Sequence, residues 1–180
     1  QKEVCTKLID MHEAAKKDSV SIIINSGARN FDSQKSLWEM KWRMKKRAKK
    51  NTQEIVMDIL SYCSMPSTSR HHWGTDMDIY YIKGNSYFEE GNGLKTYQWL
   101  KNNAAKFGFY QVYNDKKQSR RTGYKEEKWH WSYIPIAKQY VKKYSELITY
   151  KDIKGFKGFE FAKEIKAIEL FVYGIDDTYK

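Results

Sequence analysis

Cysteine is nearly absent from this chain. Its 180 residues hold two, Cys5 and Cys63, far apart and without a CxxC pair. Cysteine-based zinc-finger spacing is thereby excluded, and one disulfide or two buried thiols remain open. Histidine is also scarce, with His12, His71, His72 and His130 making up the full set. No apolar run approaches the ~20 residues that a membrane-spanning helix needs. There is no P-loop, no RNP-type aromatic motif, no internal repeat and no low-complexity tract, so nucleic acid is not an expected partner. No secretory leader is visible, but the first residue is Gln1 rather than Met. A leader or tether can therefore precede it, and its absence does not argue for the cytoplasm.

What is abundant is aromatic and basic. Hydrophobic residues make up 41% and aromatic residues 16%, with 14 Tyr and 6 Trp. That composition folds, and the length fits one domain with its own core. The net charge of +11 favours anionic surroundings such as an acidic cell-wall polymer. Much of the excess lies in residues 41–50, and such a run is most often the solvated face of a helix.

Helical spacing covers residues 4–17, with Leu8, Met11 and Ala15 on one stripe. Residues 20–25 are β-branched and read as a buried strand that turns at Ser26 and Gly27. A long helix follows to about residue 50, capped by Asp32 or Ser33, and a second helix spans residues 53–62 after a fresh cap at Asn51 or Thr52. Residues 64–69 form a loop around Pro66. Strands are expected at 75–82, 109–113 and 128–133. The loop 84–93 leads to a helix at 94–107 that ends at Gly108, and residues 114–123 form a polar, basic loop. Pro135 opens a helix running to about residue 147. Residues 159–173 fit either a helix or a strand. Helices and strands mix without strict alternation, which indicates an α+β domain with a small antiparallel sheet flanked by helices.

Three of the four histidines fall in two short stretches: Ser69, Arg70, His71, His72, Trp73, Gly74, Thr75, Asp76, Met77, Asp78, and Glu127, Lys128, Trp129, His130. Two imidazoles and a carboxylate can hold a catalytic zinc and leave a position open for water, with a glutamate beside it as base. His71 and His72 point apart, so one of them binds. Asp76 and Asp78 share a strand face, so either can be the ligand on spacing alone. A thiolate from Cys63 is the less favoured third ligand. Glu127, three residues before His130, must sit on the loop entering the strand or across a bulge to reach the same side.

The pattern of Ser69, His71, Gly74 and Asp78, followed by Glu127, Trp129 and His130, resembles the zinc D-alanyl-D-alanine carboxypeptidases of the VanY/LAS group. Upstream, Ser26, Gly27, Ala28 and Arg29 followed by Gln34 are similar to that family's Ser-Gly-Tyr-Arg segment and its later glutamine. The resemblance implies zinc ligands at His71, Asp78 and His130, which settles Asp78 over Asp76. It implies Glu127 as general base, Arg29 as oxyanion stabiliser, and Ser69 and Gln34 as substrate-positioning residues. It further implies the hedgehog/DD-peptidase-like fold, Zn2+ as cofactor, a peptidoglycan stem peptide as substrate, and a periplasmic or cell-envelope location.

Residues 1–180 are then expected to form a single zinc peptidase domain, with 149–180 packed on it as a C-terminal extension. The alternative is a non-catalytic, zinc-containing wall- or ligand-binding domain of the same fold. Three departures stand out: Ala28 where the family has an aromatic residue, Ser67 where glycine is common after Pro66, and Asp76 as an extra carboxylate in a normally apolar stretch.

Overall fold

A computed structural model describes residues 1–47, 51–117 and 122–180. The expected end of the long helix at 48–50, with that part of the basic run, and the middle of the loop 114–123 lie outside the described residues. The architecture is α+β, as expected. The helices are α1 (Lys2–Lys17), α2 (Phe31–Lys46), α3 (Thr52–Leu60), α4 (Gly91–Asn103) and α5 (Ile134–Leu147). The strands are β1 (Ile24–Ser26), β2 (Asp76–Ile79), β3 (Phe109–Tyr110) and β4 (His130–Tyr133). They form one antiparallel sheet in the order β1-β2-β4-β3.

Each face of the sheet is covered. Met77, Ile79, Trp131, Tyr133 and Phe109 pack with Met11 and Ala15 of α1 and Trp99 and Leu100 of α4. A larger cluster gathers α2, α3 and α5 with the C-terminal segment, which contributes Ile153, Phe156, Ala167, Phe171 and Ile175. Period-two alternation sends Asp76, Asp78, His130 and Ser132 away from the first cluster, onto the face between the sheet and the second cluster.

The strands are shorter than their apolar runs. Residues 20–25 do not make a buried strand: among the described residues β1 is a three-residue edge strand paired with β2 alone, and Ile23 and Ile24 stay 49% and 39% exposed. An edge strand has one neighbour, so its β-branched residues are only partly covered. The strand expected at 75–82 stops at Ile79. Tyr80 adopts a left-handed conformation (φ 46°), and 3-10 turns run over Tyr81–Glu89, where the end of the strand and then, from residue 84, a plain loop were expected. β3 keeps two residues of its expected five. Residues 159–173 are neither helix nor strand, but a 3-10 turn (Phe159–Phe161) and a π turn (Ile168–Val172) packed on the core.

Capping explains the helix ends. α2 starts at Asn30, not at Asp32 or Ser33, because the Asn30 side chain accepts from the Ser33 backbone N–H. Asn51 opens α3 with a capping box closed by Glu54. The 3-10 turn after α4 ends on Gly108 at φ 84°, where a Cβ would lie 2.6 Å from the Tyr133 ring, so glycine is required twice over. Both cysteines are free thiols: Cys5 is exposed and Cys63 is buried.

Candidate metal centre

The register of β2 and β4 builds the site. Asp78 pairs with His130 and Asp76 with Ser132 across the ladder, so four polar side chains share one buried face. His71 reaches them from a 3-10 turn (Arg70–Trp73), and Gly74 ends that turn in the left-handed region (φ 68°), steering the chain into β2. β1 places Ser26 opposite Asp78, and the Arg29 backbone N–H then donates to the His71 carbonyl. Glu127 lies on the loop entering β4, one of the two placements its spacing allowed, and the His130 N–H donates to its carbonyl.

Ligand-type atoms of His71, Asp78 and His130 lie within 4.8 Å of one another, and all three residues are buried. His71 Nε2 is 3.3 Å from Asp78 Oδ2, and His130 Nδ1 is 3.0 Å from Asp78 Oδ1. Glu127 Oε2 is 3.8 Å from His130 Nδ1, and Arg29 Nη2 is 3.5 Å from Asp78 Oδ2. These residues sit in the wall of a cavity of about 650 Å3, together with Gln34, Lys41, Cys63, Tyr113 and Trp129.

The donor set fits a divalent metal. His71 Nδ1 is 2.7 Å from the Gly27 carbonyl, which can only accept, so Nδ1 donates there and Nε2 is the atom that faces Asp78. His130 Nε2 donates to Asp76 at 3.0 Å, which leaves Nδ1 as the atom facing the centre. Each imidazole thus has its outer nitrogen anchored and its inner nitrogen aimed at the carboxylate, the arrangement that metal-binding histidines adopt.

Charge is concentrated here. Burial opposes ionisation of Asp78, but the His71 and His130 imidazoles hold its carboxyl well below the usual range. Burial likewise opposes ionisation of Asp76, and Arg70 and His130 overcome it. Burial lowers the His130 pKa, yet hydrogen bonds to Asp76 and Asp78 push it up to about 9. A metal at Nδ1 must displace that proton. Burial pushes the Cys63 thiol up to about 11, so it stays a neutral thiol in the wall and lies outside the three-residue group.

Gln34 donates to the Ser64 carbonyl at 2.8 Å, and its side-chain oxygen has no partner among the described residues. Ser69 is buried, its hydroxyl has no partner among the described residues, and it makes no side-chain cap to the turn that follows. It does not line the cavity. His72 is turned away from the centre: its Nδ1 donates to the Arg29 carbonyl and its Nε2 accepts from Ser67 N–H, with burial lowering its pKa. Ser67 itself has φ 70°, the backbone reason for a glycine preference at that position.

Sequence reasoning did not single out Arg70 or Tyr113. Arg70 is 1% exposed and is bonded to Asp76 at 2.9 Å, and the Tyr113 ring lies 4.6 Å from that of His130. The extra carboxylate at Asp76 was the one available signal for a buried cation nearby.

Known proteins share this arrangement of chain. A D-alanyl-D-alanine carboxypeptidase of Enterococcus faecalis is 30% identical over 129 residues, 72% of this chain and 46% of its own length. A putative carboxypeptidase of Bacillus subtilis, YodJ, is 29% identical over 92% of this chain and 55% of its own. The chain therefore spans about half the length of the curated relatives it matches. Among solved structures, VanYB in complex with D-alanine-D-alanine superposes with a TM-score of 0.61 at 24% identity, covering 94% of this chain and 78% of that one. A vancomycin resistance D,D-pentapeptidase VanY mutant in complex with Zn(II) gives a TM-score of 0.60 at 23% identity, covering 94% and 79%. These two likenesses establish the fold. The family model described as VanY, D-alanyl-D-alanine carboxypeptidase, matches residues 1–136, and the chain belongs to that family.

Proposed function

We propose that the chain is a zinc-dependent carboxypeptidase that removes a terminal D-amino acid, of the D-Ala-D-Ala type, from peptidoglycan stem peptides. The observation that carries this reading is the convergence at one cavity of two imidazoles and a carboxylate with a glutamate and an arginine. His71 Nε2, Asp78 and His130 Nδ1 would hold the zinc. Zinc in such a site supplies Lewis-acid polarisation of a peptide carbonyl and of a water molecule.

Glu127 accepts the proton of the attacking water and returns it to the leaving amine as the C–N bond breaks. The Arg29 guanidinium, fixed beside Asp78, stabilises negative charge on the carbonyl oxygen. Gln34, in the cavity wall, positions the substrate through a side-chain oxygen that has no partner among the described residues, and Ser69, behind the wall, acts indirectly through the turn that carries His71. Glu127 and Arg29 together favour an enzyme over a zinc-containing binding domain, which needs neither. Residues 1–180 act as one unit, because the core under the site includes the segment after residue 149. Such a substrate places the protein in the periplasm or cell envelope. No helix among the described residues is long and apolar enough to cross a membrane.

The test is hydrolysis of a synthetic stem pentapeptide ending in D-Ala-D-Ala, followed by mass spectrometry with zinc and then with a chelator. Loss of one D-Ala that chelation abolishes is expected. Failure of zinc-loaded protein to cleave would overturn the assignment of substrate.

A further inference from the structure

Asp76 is a buried carboxylate that the proposed chemistry does not use. It does not line the cavity, and lies on the far side of His130 from the centre. Its Oδ1 accepts from Arg70 Nε at 2.9 Å and from His130 Nε2 at 3.0 Å, and its Oδ2 accepts from the Thr75 hydroxyl. Arg70 is anchored in turn: its Nη2 donates to Ser132 Oγ at 2.6 Å, and its guanidinium lies 4.7 Å from the Trp73 ring centroid. The side chains of both Arg70 and Asp76 are fully buried.

Stability alone is a poor reason for this pair. Taking two charges out of water costs about as much as their attraction returns, and apolar residues of similar size often do as well or better. The neighbouring histidine gives a better reason. An apolar residue at position 76 would leave His130 Nε2–H buried without an acceptor, and the ring could rotate or change tautomer. A carboxylate on Nε2–H fixes the ring plane, commits the hydrogen to Nε2, and makes Nδ1 a stronger donor toward a metal. Arg70 Nε–H and the Thr75 hydroxyl each donate to one oxygen of that carboxylate, which holds it in place as an acceptor for His130.

Accordingly, we propose that Asp76, supported by Arg70, is a positioning residue that orients His130 and sets how tightly the centre holds its metal. This rests on the metal-centre reading above. It assigns a role to Asp76 and Arg70, two residues that reading leaves idle.

The experiment is zinc affinity measured by competition with a chromophoric chelator, alongside the melting temperature of the metal-free protein. The double variant R70M/D76A replaces the ion pair with apolar side chains. The metal-free double variant is expected to fold, with zinc binding weakened roughly 10- to 100-fold. A purely structural pair would instead shift the metal-free melting temperature and leave affinity unchanged. Affinity within about twofold of wild type, a difference too small for an outer-sphere ligand, overturns the proposal. Should the double variant not fold, Asp76→Asn carries the same test. It keeps the shape and an acceptor but removes the charge, so weakened zinc binding is expected and unchanged binding is the overturning result. His71→Ala separates the two readings. If it still binds zinc like wild type, the metal centre itself is wrong and this proposal falls with it. If it loses zinc while the Asp76 variants bind normally, only this proposal falls.

Discussion

The two faces of β2 and β4 are made by the same eight residues and serve opposite ends. Met77, Ile79, Trp131 and Tyr133 face α1 and α4 and are buried among apolar side chains. Asp76, Asp78, His130 and Ser132 face the other way and are equally buried. On the first face burial is favourable in itself, at ~25 cal/mol per Å2 of apolar surface. On the second each polar group must find a partner, because an unpaired buried charge costs several kcal/mol. The first face holds the sheet in place, and the second uses that rigidity to carry charges that would be unstable elsewhere. Stability and chemistry are thus separated by a period of two along four-residue strands.

Changing one residue on each face tests that separation. The largest effect is expected from His71→Ala or Asp78→Ala, which remove a metal donor. Zinc affinity should fall by more than the ~100-fold that outer-sphere changes reach, and activity should go with it. Next, Glu127→Ala should lower turnover by roughly 100- to 10,000-fold while zinc binding is retained. A Glu127→Ala protein with normal turnover would break the base assignment. On the opposite face, Met77→Ala should cost ~2–5 kcal/mol of folding free energy, read by denaturant unfolding, with zinc affinity of the folded protein unchanged. A Met77→Ala protein of full stability but weakened zinc binding would show that the faces are not separable.

The same separation explains what the sequence revealed. Alternation along residues 76–79 made the shared face of Asp76 and Asp78 legible, and the offset of Glu127 from His130 left a loop or a bulge, of which the loop is the one found. Capping residues made the helix starts legible to within a turn, although Asn30 was passed over for its neighbours. Strand lengths were not legible, because they depend on which neighbour is present: residues 20–25 look like a core strand but meet only one partner. The segment 159–173 has apolar residues without a clean period, and its turns are set by packing on α2, α3 and α5 rather than by local preference. Arg70 was invisible for a similar reason. The extra carboxylate at Asp76 hinted at a cation without saying which one, and only the fold brings Asp76 and Ser132 to Arg70.

A smaller effect concerns pH. In chelator-treated protein, His130 is raised from 6.5 to about 9 by its two aspartates. A group whose folded pKa is raised stabilises the fold fully below its unfolded value and loses that contribution as pH rises through the folded one. Asp76 and Asp78 are depressed, so their contribution is present above the ordinary carboxylate range and fades as pH falls through and below it. The metal-free melting temperature should therefore be highest in mildly acidic solution and decline from about pH 6.5 to about pH 9. Zinc affinity should move the other way and rise over that range, because binding releases the His130 proton. Parallel rather than opposed trends would break the assignment of His130 as a metal donor.

The smallest effect comes from a position remote from both faces. Asn51 caps α3 by accepting from Glu54 N–H, while the Glu54 side chain accepts from Asn51 N–H at 3.1 Å. Asn51→Ala removes half of that exchange at an exposed helix start and should cost about 1 kcal/mol. α3 contributes Ile55, Val56, Ile59 and Leu60 to the cluster behind the site but no side chain to the metal group. The loss should therefore appear in the unfolding midpoint and leave zinc affinity unchanged, and it should add to the loss from Met77→Ala in the double variant, because distant sites without shared partners combine independently. Non-additivity would mean that the clusters on the two sides of the sheet are coupled through it, and that the sheet transmits strain between its faces instead of insulating them.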